Sequence, residues 1–240
     1  MKKDANILVT GGSGLLGTAL RKVMPDAYYP SHAEFCVPDY ANMWCYISDL
    51  GIKTLFHGAA FTSPPKIDAD PERAIIDNIE GTCAVVRLCK EFDIKLVYMS
   101  TDYVFDGTRG KYREDYPVYP VNKYAWSKLG GECAVRMYNN SLIIRTNMCP
   151  EPFPYEKAFV DQITTRDYIS NVVPKIVELI KSDLYGTIHI GGKRQRIYNF
   201  ARQTRPDVQE LLRDDVPFKV PYDVSLNCDK WERWKSGQKS

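Results

Sequence analysis

Ile7-Leu8-Val9-Thr10-Gly11-Gly12-Ser13-Gly14-Leu15-Leu16-Gly17 is the stretch that decides the fold. Its first three residues make a short apolar strand, and after Gly17 a helical run continues to Met24. Glycines at 11, 14 and 17 let the backbone turn tightly, let a pyrophosphate approach the helix N-terminus, and let the helix pack close to the strand. A glycine-rich turn alone is weak evidence; a strand before it and a helix after it are the context a dinucleotide site requires. Gly11, Ser13, Gly14, Leu15, Leu16 and Gly17 are therefore the first candidate cofactor contacts.

Moving outward, Ala27 to Tyr29 reads as the second strand. About 20 residues beyond the first glycine, where a carboxylate would hold the ribose 2′-hydroxyl of NAD, stand Ser31 and His32. A hydroxyl and an imidazole suit a 2′-phosphate better, so NADP is the expected cofactor, with NAD as the alternative because Glu34 is nearby. Tyr40 to Leu50 reads as a helix and Lys53 to His57 as a third strand, ending in Gly58-Ala59-Ala60-Phe61-Thr62. Small residues at such a strand end let a flat cofactor lie against backbone, or simply pack a tight loop. A long helix is predicted from about Glu72 to Phe92, with Ile75, Ile79, Val86 and Leu88 on its buried face. Asn78 lies in that apolar region as a core amide or as a group near the substrate.

The run Leu96-Val97-Tyr98-Met99 is short, apolar and bounded by polar residues, as a buried parallel strand should be. Ser100 and Thr101 then fall at its carboxyl end, where open α/β sheets bind ligands. From Asn122 the pattern becomes helical, which puts Tyr124 and Lys128 on one face, one turn apart. A free phenol titrates near 10, and a neighbouring ammonium favours the phenolate and lowers that value. A hydroxyl such as that of Thr101 could hold a carbonyl oxygen while Tyr124 delivers a proton. Carbonyl reduction, or its reverse, is the chemistry such a set performs.

Ser141 to Arg145 supplies a fifth strand, followed by the Pro-rich Cys149 to Tyr155, which can be neither regular helix nor central strand. A helical run spans Asp167 to Leu184, with Pro174 either in its first turn, if Ser170 caps it, or at a kink. Thr187 to Ile190 reads as another strand, then short helices near Ile197 to Arg202 and Pro206 to Arg213, and a polar tail in which Trp231 and Trp234 dock on the body. Alternating strands and helices predict an α/β doubly wound parallel sheet. The whole of 1–240 reads as one NAD(P)-binding Rossmann unit, with a small, reduced C-terminal substrate-binding portion from about 147–167 and 193–240.

Lys+Arg 32 against Asp+Glu 30, with no long block of either sign, implies no nucleic-acid or membrane-surface partner. The N-terminus holds no uninterrupted apolar stretch, so a cytoplasmic location is expected. Seven Cys without paired spacing and three isolated His argue for reduced thiols and no metal site.

Thr10-Gly-Gly-Ser-Gly-Leu-Leu-Gly17, Ala59-Ala-Phe-Thr62, Asn78 followed by Gly81, Ser100-Thr-Asp-Tyr-Val-Phe-Asp-Gly107 and Pro120-Val-Asn-Lys-Tyr-Ala-Trp-Ser-Lys128 together resemble the extended short-chain dehydrogenase/reductase superfamily. Within it they look most like the dTDP-4-dehydrorhamnose reductase group of nucleotide-sugar 4-ketoreductases, which act in carbohydrate biosynthesis. The resemblance implies Thr101, Tyr124 and Lys128 as the catalytic set. It implies cofactor contacts at Ala59, Ala60, Phe61, Asn78 and Ser100, besides the glycine turn, Ser31, His32, Tyr124 and Lys128. Substrate contacts are implied at Thr62, Asp102, Tyr103, Val104 and Arg145. Only a Pro-rich link of 15 residues joins Arg145 to Asp161, where the group has a longer segment, so the nucleotide or sugar pocket is expected to be reduced or built differently. Two other readings stay open: an epimerase or dehydratase of the same superfamily, and a cofactor-binding regulatory subunit of another enzyme. A nucleotide sugar is the expected small-molecule partner, and the sequence leaves a homodimer open.

Overall fold

The computed structural model describes residues 3–237. Five parallel strands form the central sheet: β1 (Ile7–Thr10), β2 (Thr54–His57), β3 (Lys95–Thr101), β4 (Ser141–Thr146) and β5 (Gly186–His189), in that spatial order. The first two residues and the end of the tail, 238–240, lie outside the described residues. Every strand is almost wholly buried, with an apolar centre such as Leu96-Val97-Tyr98-Met99 or Leu142-Ile143-Ile144, as expected when helices cover both faces. On one face α1 (Leu15–Val23) packs beside the late helix Ile169–Ile180, with Leu20, Val172 and Ile176 in the core. The other is covered by α2 (Tyr40–Ile47), α3 (Gly81–Glu91) and α4 (Lys123–Arg136), through Met43, Leu88 and Val135. This is a doubly wound sheet of the Rossmann type.

The expected second strand, Ala27 to Tyr29, is reduced to one bridge. Tyr28 pairs with Leu8 on the outer edge of β1, and the prolines at 25 and 30 bound the segment closely. Its position still matters. From β1 the chain goes to Tyr28 on one side and then crosses to β2 on the other, so the strand order reverses beside β1 and opens a crevice at the strands' carboxyl ends.

The predicted helix from about Glu72 to Phe92 is present and runs without a break from Pro71 to Glu91, with a π-helical stretch (Ile75–Glu80) between the first turn (Pro71–Ala74) and α3. Pro174 lies inside the helix Ile169–Ile180, and Ser170 does not cap it but donates to Glu151. Pro206 to Arg213, read as a helix, is instead the strand Gln209–Leu211, which pairs with Lys157–Phe159, followed by a 3-10 turn at Arg213–Asp215. Partnership with a distant strand outweighed the local pattern there. Residues 148–168 and 195–211 form a cap of two- and three-residue strands around their own apolar cluster of Phe153, Tyr168, Ile197 and Phe200. Trp231, on a terminal helix Asp229–Gly237 that the polar tail did not announce, is buried in the main core, with Trp234 packed against it.

All seven cysteines are free thiols, and no cluster able to hold a metal ion occurs among the described residues. None of the described helices is long and apolar enough to cross a membrane.

Candidate active site

At the carboxyl ends of the strands the structure opens a cleft of about 920 Å³ between the sheet and the cap. One wall is the turn after β1. Gly11 has φ +75°, and a Cβ there would stand 2.8 Å from the Ala59 nitrogen; at Gly17 it would meet the Gly11 carbonyl oxygen at 2.3 Å. Only hydrogen fits at either position. No side chain caps α1, whose N-cap is Gly14, so the first-turn N–H groups of Leu15, Leu16 and Gly17 remain available to an anion in the cleft.

The opposite side of the crevice comes from β3 and α4. Asn122 caps α4 by accepting from the Ala125 N–H at 2.9 Å, which starts the helix where Tyr124 and Lys128 both face the cleft with Thr101. Asn78 pins this helix to the loop after β2. Its amide donates to the Phe61 carbonyl and to the Ser127 hydroxyl, both at 2.8 Å, and its oxygen accepts from the Phe61 N–H at 2.7 Å. With its bonding capacity taken up by protein, Asn78 is a clamp behind the site and does not line it.

Burial raises the Tyr124 phenol above its ordinary value, with the neighbouring Thr101 hydroxyl pulling the other way. Burial also lowers the Lys128 ammonium to about 7, against the opposing pull of Glu132. The expectation that Lys128 depresses the phenol is thus corrected: desolvation is the larger effect on both groups, and the phenol stays protonated. Lys128 Nζ rests 4.3 Å from the centre of the Tyr98 ring, a cation–π contact within the core.

Of the residues singled out from sequence, Gly11, Gly14, Leu15, Leu16, Gly17, Ala60, Thr62, Ser100, Thr101, Tyr103, Tyr124 and Lys128 line one cleft. Others are placed elsewhere. Ser13 is exposed beside it, and Ala59 donates its N–H to Thr10 at 3.1 Å. Phe61 lies under Arg73. On an exposed loop, Ser31 donates to Glu34 at 2.7 Å and His32 leans on Cys36. Val104 is buried against Phe105 and Leu226. Asp102, fully buried, sits behind Thr101 and accepts from the Asn147, Thr164 and Thr101 side chains; burial raises its carboxyl to about 6.

Arg145 is corrected as a substrate contact. Its guanidinium is wholly buried on Glu132, with Nε 2.8 Å from Oε1 and NH2 2.7 Å from Oε2, so it is committed to the core. Glu132 Oε1 also accepts from Ser100 at 2.6 Å, which fixes a cleft-lining hydroxyl from behind.

The sequence reading missed Thr146, Asn147, Phe153, Tyr155, Lys157 and Arg166, which also line the cleft. Thr146 was within reach, since it ends β4 opposite Thr101. Its buried hydroxyl lines the cleft and has no hydrogen-bond partner among the described residues, so a bound ligand would satisfy it. For the cap residues no periodicity carries a signal.

Similarity to known proteins agrees with this geometry. The family model described as RmlD substrate binding domain matches residues 5–168. A dTDP-4-dehydrorhamnose reductase from Sinorhizobium fredii is 27% identical over 95% of this chain and 90% of its own length. Methionine adenosyltransferase 2 subunit beta from Xenopus laevis is 33% identical over 57% of this chain, which spans only 44% of that relative's length. Among solved structures, dTDP-4-dehydrorhamnose reductase from Bacillus anthracis in complex with NADP superposes with a TM-score of 0.86, covering 96% of this chain and 91% of that one at 22% identity, a likeness of fold. The glycine turn, the Thr101/Tyr124/Lys128 set and the match over residues 5–168 lead to one statement of kinship: the chain belongs to the RmlD substrate binding domain family, within the extended short-chain dehydrogenase/reductase fold.

Proposed function

We propose that this chain is an NADP-dependent oxidoreductase that reduces the 4-keto group of a nucleotide sugar. The observation that carries the reading is the convergence of Thr101, Tyr124 and Lys128 on a cleft whose facing wall is the glycine turn. The chain's residues fit the cofactor on three counts: an uncapped helix N-terminus, turn glycines that leave no room for a Cβ, and the orphaned Thr146 hydroxyl. Arg21, which stacks on Tyr29 with 4.6 Å from its guanidinium carbon to the ring centre and approaches Gly12, adds positive charge beside the glycine turn, which supports NADP over NAD. A bound nicotinamide supplies the hydride.

The protein's share is orientation and proton supply. Thr101, its hydroxyl turned from Asp102 to donate to the carbonyl oxygen, directs that oxygen toward Tyr124, whose phenol, kept neutral by its enclosure, gives it a proton. Lys128, one turn further along α4, holds the ribose hydroxyls. Charging of its amine when the anionic cofactor binds would then ease loss of the phenolic proton. Substrate recognition falls to the cap, built from 148–168 and 195–211.

NADPH oxidation against a panel of 4-keto-6-deoxy nucleotide sugars, beginning with the dTDP sugar named for the Sinorhizobium relative, tests the reading. Turnover of at least one is expected. A second reading, a cofactor-binding subunit of another enzyme, is favoured by the 33% identity to a protein named as a subunit of methionine adenosyltransferase. Tight NADPH binding without turnover of any sugar would select it.

A further inference from the structure

We propose that His57 is a positioning residue of this site: it joins the glycine turn to the helix that carries Tyr124 and Lys128, so that filling of the turn tightens the start of α4. The role given to Tyr124 rests on the reductase reading; the joint itself rests on hydrogen bonds and packing.

His57 ends β2, is wholly buried and does not line the cleft. Both of its ring nitrogens are engaged. The hydroxyl of Thr10, the residue before Gly11, accepts from the Ala59 N–H at 3.1 Å and thus has its own proton to give to Nδ1, 2.8 Å away. The Thr82 hydroxyl, on α3, donates to the Asn78 carbonyl oxygen at 2.7 Å, so its oxygen receives the Nε2–H at 3.1 Å. These partners assign the tautomer: a neutral ring with its proton on Nε2. From Asn78 the bonds continue. Its amide donates to the Ser127 hydroxyl at 2.8 Å, and Ser127 donates to the Tyr124 carbonyl, also at 2.8 Å. Five successive hydrogen bonds therefore lead from the residue before the turn to the backbone of Tyr124.

Lys128 is reached by a second route. The His57 ring packs on the Tyr98 ring, centres 5.7 Å apart, and Lys128 Nζ lies over that same ring; the Tyr98 hydroxyl donates to the Lys128 carbonyl at 3.2 Å. There is little slack between these parts, since a Cβ at Gly131 of α4 would stand 3.0 Å from the Asn78 carbonyl oxygen. A close-packed interior transmits a displacement instead of absorbing it, so a shift at the end of β2 is passed on to α4. Neither Thr82 nor Ser127 lines the cleft, so substitution at either breaks the series without removing a contact to cofactor or substrate.

Deuterium exchange of peptide 122–136, followed by mass spectrometry on the full chain with and without 2′-phospho-ADP, tests this. The probe carries the diphosphate that suits the glycine turn and lacks the nicotinamide riboside. Its binding should slow exchange in wild type about fivefold or more. Thr82→Val should lose that response while its affinity for the probe changes less than about threefold, and Thr82→Ser, which keeps the hydroxyl, should regain it. In turnover Thr82→Val should lower kcat about tenfold or more, with little change in KM for NADPH. Adding Ser127→Ala should lower kcat no further than the larger single effect, because both cut one series. His57→Leu should behave in the exchange assay as Thr82→Val does, so a folding defect in one variant leaves the other to decide. The proposal is overturned if the wild-type peptide ignores the bound probe, if Thr82→Val keeps the response, or if the two substitutions add in full. Coupled exchange without reduction of any keto sugar leaves the joint standing and removes the reductase reading. Turnover by a wild-type protein whose peptide does not respond does the reverse.

Discussion

The wall of the cleft that carries Thr101, Tyr124 and Lys128 is placed by regular main chain, whereas the wall that carries Arg166, Lys157 and Tyr155 hangs on side-chain pairs. Thr101 ends a seven-residue strand hydrogen-bonded on both sides, and Tyr124 and Lys128 stand on a 14-residue helix with a capped start. The cap instead consists of strands of two or three residues held by Arg213 on Asp161 at 3.2 Å, Arg194 on Asp223, and Gln162 on Tyr103 at 2.8 Å. Chemistry is thereby built into the part of the molecule held by regular main-chain hydrogen bonds, and recognition into the part whose contacts can be exchanged singly. Changes on the first wall should alter turnover or global stability; those on the second should alter affinity.

The largest effect is expected from Tyr124→Phe, which removes the proton donor and should lower kcat by roughly 10²- to 10⁴-fold, with NADPH affinity and melting unchanged. Retained activity would detach the chemistry from this wall. Next comes Glu132→Gln, which leaves the buried Arg145 without its counter-charge and should cost about 3–5 kcal/mol in urea unfolding. The double change with Arg145→Gln should cost less than the sum of the two singles.

Acid should act mainly through the sheet half. His57 bonds to Thr10 at 2.8 Å, and His189 lies beside Arg145; burial holds both rings neutral, with values lowered to about 3. Because the unfolded rings take up protons below roughly pH 6.5, their stabilisation is complete above that pH and drains away as pH falls toward 3. Asp102, raised to about 6, works in the opposite sense between about pH 6 and 4, but it is one group against two. Glu132, held low by Arg145, adds to the loss. Urea midpoints should therefore drop between pH 7 and pH 4.5, and His57→Gln should flatten that slope. The smallest effect is expected on the cap: Arg213→Ala should cost about 1 kcal/mol of stability or less and appear mainly as a higher KM.

The same contrast explains what could be read from the sequence. Strands β1, β3 and β4 and the faces of α1 and α4 follow from apolar runs and helical spacing, so the glycine turn and Thr101, Tyr124 and Lys128 were legible together. Arg145 was misplaced because position at a strand end does not tell which way a long cation turns; its partner Glu132 stands 13 residues earlier in the chain, on another element. Arg166 and Lys157 were invisible, since two-residue strands carry no period and their placement depends on pairing with residues around 195 and 209. The stretch from Pro206 to Arg213 went astray for that reason too.

Transfer of deuterium from C4-deuterated NADPH to the keto-sugar product, followed by mass spectrometry in wild type and Tyr124→Phe, tests the central claim most directly. The account predicts one deuterium on the former keto carbon with wild type, and almost none with a Tyr124→Phe protein that still binds NADPH. Unlabelled product, or equal labelling by the two proteins, would contradict it.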